Sequence, residues 1–339
     1  MVTMADVARR ANVSLSTVSY ALNSTRPVAV DTRERVFSAM AELGYHRNAA
    51  ARSLAARKSH VVALIFPAVE IGIGSTIGEF VASAAATARE RGYHLVLWPL
   101  RADESADMVE LARQGQADGV LLMEVTLEDA RVAALRDAGI PVTLIGRTRE
   151  PEGLSYVDID FECTAAEAVA HLAGLGHEHI GFVNHSVRTQ EAGYGPTVRM
   201  SADLATSAAA HGVRLVQTLC EETPVAGRAA VHDLLAADSE LTAIITMNEM
   251  ATFGVTAELA QLGRRIPEDV SVLAVVTSPG VVASTVPPLT VLLSPGAELG
   301  RLGTHCLIDQ IEATVPVPRP VLVPCGLAAG GSTAPVRPH

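Results

Sequence analysis

The sequence predicts a multidomain chain: a small all-α head with a hinge helix, followed by an α/β body of two doubly wound parallel-sheet lobes. Three observations lead there. Residues 1–46 hold three short amphipathic helical patterns. Beyond residue 60, apolar strand-like runs alternate with amphipathic helices in two successive series. The charge divides at the same place: residues 1–60 carry nine Arg/Lys against four Asp/Glu, a balance of +5, whereas the rest of the chain balances at −16. A basic head on an acidic body directs the head alone toward a polyanion.

In the head, Thr3 can cap the first helix, with Asp6 three residues later near its positive end. Val7, Ala8 and Ala11 make a small apolar face. "ANVS" breaks the pattern, and Ser14 or Ser16 can cap a second helix. There Val18, Ala21 and Leu22 point inward, and Ser16, Thr17, Ser19 and Tyr20 outward. "VDTRERVFSAMAELGY" predicts a third helix, with Asp31 and Glu34 as a capping box, Gly44 as the C′ residue, and Val36, Met40 and Leu43 as the buried stripe. Such a trio is a helix-turn-helix candidate, with its second helix suited to the major groove and Arg9, Arg10, Arg33 and Arg35 to phosphates. The same pattern fits a helical bundle that makes protein contacts only. The next stretch, "NAAARSLAARKS", is about three turns of good helix formers, marginal in isolation.

"TMADVARRANVSLSTVSYALN…VDTRERVFSAMAELGYHRNAAARSL" resembles the N-terminus of the LacI/GalR family of bacterial transcription regulators. Thr17-Val18-Ser19, Leu22-Asn23, Val30, Thr32-Arg33, Val36, Gly44-Tyr45, Asn48 and Arg52-Ser53-Leu54 fall on the family pattern; Arg47 departs from it, standing where proline is usual. The resemblance implies a helix-turn-helix DNA-binding domain over 1–46 and a hinge helix or linker over 47–60. It also implies that Leu54 is a wedge inserted between central base pairs of the minor groove, with Ala51 and Arg52 beside it. The partner so implied is double-stranded operator DNA, read by a homodimer. The DNA-binding candidates are therefore Ser16, Thr17, Ser19, Tyr20, Asn23, Arg33, Asn48, Ala51, Arg52 and Leu54.

The body, 61–335, opens with "HVVALIFP" and proceeds through "STIGEFVASAAATARERG", "YHLVLWPL", "SADMVELARQGQA", "DGVLLME", "DARVAALRDAG", "IPVTLIG" and "FECTAAEAVAHLAGLG". "HIGFVNH" begins the second series, which ends at "VSVLAVV" and is followed by "PLTVLLSPGAELGRLGTHCLIDQIE". Apolar strands without strict alternation argue for parallel sheets covered on both faces, here over roughly 61–160 and 161–290. The carboxyl ends of their strands would line a cleft between the lobes. "HLAGLGHEHIGFV", "NEMATFGVTAELAQLGRRIPEDVSVLAV", "PPLTV" and "ELGRLG" resemble segments of the same family's periplasmic-binding-protein-like effector domain.

That resemblance implies a small-molecule effector, but the expected site is altered. Gly146-Arg147 stands where Asp-Arg is usual, Asn248-Glu249 where Asn-Asp is usual, and the usual arginine falls on Met200, with Arg199 adjacent. Ala274-Val275-Val276-Thr277 replaces Gly-Phe-Asp-Asp. A sugar site needs charged hydrogen-bonding forks and an aromatic platform. Their loss leaves the effector's identity open, with a typical sugar no longer implied. The effector-binding candidates are Trp98, Glu124, Arg147, Asp160, Arg199, Asn248 and Glu249, each equally compatible with packing or a solvated role.

Other chemistries find little support. "GIGSTIG" lacks both the dinucleotide and the Walker spacing. His171, His177 and His179 lack a zinc motif, and no nucleophile elbow is present, so neither a metal, a cofactor nor an enzymatic activity is expected. Cys163, Cys220, Cys306 and Cys325 read as buried thiols of a reducing compartment. "MVTMADVARR" is not a leader, and no run of about 18 apolar residues predicts a membrane span, so a cytoplasmic location is expected. The C-terminal "AAGGSTAPVRPH" carries no leucine heptad, which favours a dimer over a tetramer. The expected function is ligand-responsive repression at a palindromic operator; the alternative is a two-lobed small-molecule-binding protein with a vestigial DNA-binding head.

Overall fold

A computed structural model describes residues 2–23, 26–45, 58–66, 75–100, 104–314 and 318–337. The chain divides into a head, Met1–Ser59, and a body, His60–His339.

The head is three helices: α1 (Met4–Ala11), α2 (Leu15–Asn23) and α3 (Val30–Leu43). Thr3 and Asp6 close a capping box on α1: the Asp6 amide donates to Thr3 Oγ1, and Thr3 N donates back to the Asp6 carboxylate at 2.9 Å. Asn12 in the left-handed region, φ 53°, ends α1. Ser14 Oγ then accepts from Thr17 N at 3.1 Å and caps α2. Val7, Ala8, Ala11, Val18, Ala21, Val36 and Ala39 form the core of this unit. The expected Asp31–Glu34 capping box does not form. Helix α3 begins two residues earlier, its N-cap is Ala29 without a side-chain bond, and Asp31 lies inside the first turn, 3.6 Å from Arg35. Gly44 ends α3 at φ 61° as expected.

In the body, sheet 1 contains β1 (Val61–Ile65), β2 (His94–Trp98), β3 (Gly119–Leu122), β4 (Val142–Ile145), β5 (Ser155–Ile159) and a late strand, β11 (Pro320–Val323). Sheet 2 contains β6 (His179–Asn184), β7 (Arg214–Leu219), β8 (Ala243–Thr246), β9 (Ser271–Thr277), β10 (Thr290–Leu293) and β12 (Gly326–Ala328). The orders are β2-β1-β3-β4-β5-β11 and β7-β6-β8-β9-β10-β12, the same doubly wound pattern twice. All pairings are parallel except β10 with β12.

The helices of lobe 1 are α4 (Ser75–Glu90), α5 (Ser105–Arg113) and α6 (Ala130–Asp137). Lobe 2 has α7 (Phe161–Gly174), the short α8 (Val187–Glu191), α9 (Gly195–Ala210), α10 (Pro224–Ala237), α11 (Glu249–Gln261) and the short α12 (Pro279–Ala283). Helix α13 (Gly296–Glu312) returns to lobe 1, where it packs on α4 beneath β3, β4 and β5. Each sheet takes five strands from one of the two expected runs, roughly 61–160 and 161–290, but adds a sixth from near the end of the chain. The chain passes between them after β5, after β10 and after β11. One apolar cluster runs through these passages, from Leu64, Phe80 and Ile145 through Ile159 and Phe161 to Phe182 and Met200. Cys163 departs from expectation: it is exposed on the first turn of α7, while the other three cysteines are buried and free. Among the described residues no helix is long and apolar enough to cross a membrane.

Helices α10 and α11 pack backbone to backbone. A Cβ at Gly254 would fall on the Pro224 carbonyl, and one at Gly227 on the Ala251 carbonyl. Neither neighbour can yield without moving a helix. Gly254→Ala is expected to destabilise the body by about 1–3 kcal/mol, as overpacking does, read as a lowered urea midpoint. An unchanged midpoint would contradict this packing.

Candidate nucleic-acid interface and ligand cleft

The outward face of α2 begins at its first residue. Leu15 is 53% exposed, next to exposed Ser16 and half-buried Ser19 and Tyr20. Sequence reasoning missed Leu15. By helical spacing Leu15, three residues before Val18, reads as part of the buried stripe, and only its place in the first turn leaves it exposed. Ser14 Oγ lies 2.8 Å from Ser16 Oγ and 2.7 Å from Thr17 Oγ1, so the hydroxyls of this first turn form one local network. Tyr20 carries the Arg26 guanidinium 5.3 Å above its ring. Among the arginines assigned to phosphates, Arg9 pairs with Asp6 at 3.1 Å, Arg10 with Glu42, and Arg35 with Asp31. Arg33 is exposed. The side chain of Asn23, and Asn48, Ala51, Arg52 and Leu54 entirely, lie outside the described residues.

The cleft of the body is built at the carboxyl ends of the strands. After β3 the chain turns sharply at Glu124, φ 54°. The turn is held from below by Arg131, which is 2% exposed, paired with Asp129 at 2.7 Å, and donates from Nη2 to the carbonyls of Met123 (3.2 Å) and Glu124 (2.8 Å). The following residues run against lobe 2. Leu127 N donates to Gly193 O at 2.8 Å, Gly195 N donates to Val125 O at 3.3 Å, and Thr126 bridges Tyr194. The Tyr194 phenol lies beside the Glu124 carboxyl. Burial pushes both groups above their usual ranges, and the neighbouring phenol pulls Glu124 partly back. His185, at the end of β6, presents its ring edge to Tyr194 at 6.1 Å and is 2.9 Å from Glu222, whose carboxyl it holds low.

A second tie crosses between the lobes at α9. Arg199 Nη2 donates to the carbonyls of Arg147 (2.7 Å) and Thr148 (3.1 Å), which follow β4. Its Nη1 lies 3.6 Å from Asp158 Oδ2 on β5, and Arg147 Nη1 lies 3.7 Å from the same oxygen. Burial pushes the Asp158 carboxyl up to about 6 against the pull of these two guanidinium groups, and it pulls Arg199 down. A third tie starts at Glu249, the first residue of α11. Its Oε1 accepts from Ser278 N (2.7 Å), Thr277 Oγ1 (3.1 Å) and Thr76 Oγ1 on α4 of lobe 1 (3.3 Å). Thr277 and Ser278 follow a bulge against β10, where Val276 takes φ 53°, an outlying conformation for a β-branched residue.

Of the seven cleft candidates, the structure gathers Glu124, Arg147, Arg199 and Glu249 where the lobes meet. The other three are occupied elsewhere. Asp160 caps α7, accepting from Cys163 N at 3.0 Å. Asn248 caps α11 through Oδ1 (3.0 Å from Ala251 N) and donates from Nδ2 to Cys220 O at 3.1 Å. Trp98 is half-buried and packs at the end of β2 on the core that includes Met108, Val132 and Leu135. Sequence reasoning missed Tyr194, His185, Asp158 and Thr76, because each lies in a segment with no motif of its own. Of the three histidines, His177 bonds Thr242 and Ser271, His171 bonds Thr333, and His179 bonds Asp238, which also receives Arg214.

Comparison with known proteins decides the family. Residues 3–48 match the family described as bacterial regulatory proteins, lacI family, and residues 169–333 match the periplasmic binding protein-like domain. The chain is 30% identical to the HTH-type transcriptional regulator MalR of Streptomyces coelicolor over 343 residues, 98% of this chain and 96% of that one. The chain belongs to the lacI family. This lacI-family chain is thus a sequence-specific DNA-binding transcription regulator and not an enzyme. A solved complex of the regulator CelR with cellobiose is 26% identical, with a TM-score of 0.73 over 98% of this chain and 100% of that one. The lac repressor dimer bound to operator and the anti-inducer ONPF shares the fold, with a TM-score of 0.84 at 21% identity over 98% and 99% of the two chains.

The position of Asp158 sets a pH dependence. Its folded carboxyl binds a proton more tightly than the unfolded one, whose pKa is about 3.9. Its contribution to stability therefore falls as pH rises from about 4 to about 6, and is level above. Urea midpoints of the wild type and Asp158→Asn, compared from pH 4 to 7, are expected to show the wild type losing ground relative to the variant across that window. Parallel curves would contradict the buried, proton-binding carboxyl.

Proposed function

We propose that this regulator is a homodimeric repressor of a roughly palindromic operator, governed by a small molecule held between its lobes. The observation that carries this reading is the pairing of a complete helix-turn-helix head with a body whose strand ends are tied across the cleft by Arg199, Glu249 and the Glu124–Tyr194 pair. Ties of this kind compete with any ligand for the same polar groups. A ligand that replaces them changes how the lobes stand, which gives it differential affinity for two states of the body. The relatives support both halves of the reading, since one is solved with cellobiose and another as a dimer on its operator.

On the DNA side, α2 reads the major groove with Ser16, Thr17, Ser19, Tyr20 and Asn23, and Arg33 meets phosphate. The segment holding Asn48, Ala51, Arg52 and Leu54 pairs with its copy on the minor groove, and Leu54 enters the base stack as a wedge. Unstacking there is offset by the larger surface that kinked DNA brings into contact. On the ligand side, Glu124, Arg147, Arg199 and Glu249 supply a mixture of acceptors and donors. That mixture fits a polar, uncharged or weakly charged effector.

Selection of randomised duplexes with the full-length protein at physiological salt is expected to enrich a two-half-site palindrome. Enrichment of no sequence, with and without a small-molecule extract of cells, would contradict the repressor reading and favour a two-lobed binder with an idle head. On the enriched duplex, Leu54→Ala is expected to lower specific affinity at least about fivefold, one central step costing about 1–3 kcal/mol, with little change on random DNA. Equal losses on both DNAs would remove the wedge.

A further inference from the structure

The head shows one contact that the general reading does not use. Tyr20 is the largest side chain on the outward face of α2, and Arg26 is stacked on its ring at 5.3 Å. Arg26 is exposed, and its described contact is aromatic, whereas Arg9, Arg10 and Arg35 point to carboxylates. The residue after it is Pro27, which confines Arg26 to extended backbone and so fixes the direction from which the guanidinium approaches α2. Below Tyr20, the hydroxyls of Ser14, Ser16 and Thr17 bond one another and Leu15 is apolar. None of Leu15, Ser16, Thr17 or Ser19 offers the two-pronged hydrogen bonding with which Arg, Asn or Gln read a base. Among the described side chains of this face, discrimination then depends on Tyr20, a side chain with two freely turning bonds unless something holds it.

We propose that Arg26 is a positioning residue for Tyr20: stacked on the ring, it fixes the phenol on the reading face and thereby sets the base preference of the half-site. The inference rests on the DNA-reading role of the head and assigns within it how one base pair is chosen. The guanidinium remains free at its edge to meet a phosphate, so the pair joins positioning on the backbone to reading of a base. A cation over an exposed ring is worth about two- to fivefold in an equilibrium, and that is the scale of discrimination at stake.

The test uses full-length wild type, Arg26→Ala, Arg26→Lys, Tyr20→Ala and the double variant. Each is titrated on the preferred operator and on duplexes altered at each half-site base pair, at several salt concentrations. Arg26→Ala and Tyr20→Ala are expected to flatten preference at the same base pair, Arg26→Ala by about two- to fivefold. The double variant is expected to be no flatter than Tyr20→Ala. Arg26→Lys, which keeps the cation but not the plane, is expected to restore part of the preference. A uniform loss on all duplexes for Arg26→Ala, with a salt slope shallower by about one and every preference intact, would make Arg26 a phosphate contact only and overturn the proposal. A wild type that discriminates at no base pair would overturn the reading of the head itself, and the pairing with it.

Discussion

The body depends on one topological constraint: its chain passes between the two sheets three times, after β5, β10 and β11. No lobe is complete without a segment that arrives late. Sheet 1 needs α13 and β11 from beyond residue 295, and sheet 2 closes its edge with β12. The lobes therefore share a continuous apolar cluster through Ile159 and Phe161, and any change in their relation must pivot on the same three passages. The strand ends that open beside those passages are where polar residues can face one another across a narrow gap, and the cross-lobe ties lie there.

Those ties are costly groups placed where water is scarce. Asp158 lies beside Arg147 and Arg199 at distances slightly beyond a hydrogen bond, and its carboxyl is held near 6 by burial. Glu124 is half-buried beside Tyr194, and burial raises its carboxyl. Buried pairs of this sort seldom add much net stability, because desolvation offsets their attraction. They do make the arrangement two-sided: Arg199 Nη2 and Glu249 have cross-lobe partners when the lobes stand as they do and lose them when the lobes part, while Asp158 Oδ2 and the Nη1 atoms of Arg147 and Arg199 are without a hydrogen bond in this state. Such an element is what a ligand between lobes needs in order to bias a distant event.

The helical head and the alternation of the body were legible in the sequence, because both rest on periodicity. The Thr3 cap with Asp6 beside it, the Ser14 cap and the Gly44 terminator follow from local rules. The start of α3 did not, because Asp31 and Glu34 have capping spacing whether or not the helix begins before them. Strand β5 was hidden by Ser155, Tyr156 and Asp158, which interrupt its apolar run, and β11 and β12 by their place near the end of the chain, outside the alternation, as edge strands. In the cleft, Glu124, Arg147, Arg199 and Glu249 could be picked because they end strands or begin helices. Asn248 and Asp160 satisfied the same rule yet serve as caps, since a polar residue at a helix start answers the helix's own amides first. Tyr194 and Thr76 were invisible because Glu124 and Glu249, which they meet, are remote in sequence, 173 residues away for Thr76.

The central claim is that the state of the cleft and the affinity of the head for DNA are linked. The most direct test is the affinity of the full-length protein for its preferred operator and for random DNA, before and after Arg199→Ala. This substitution removes the donors to Arg147 and Thr148 without touching the head. The account gives a change in specific affinity of at least about fivefold, the lower end of ordinary coupling between sites, with affinity for random DNA unchanged. Identical operator affinity in the two proteins would contradict it.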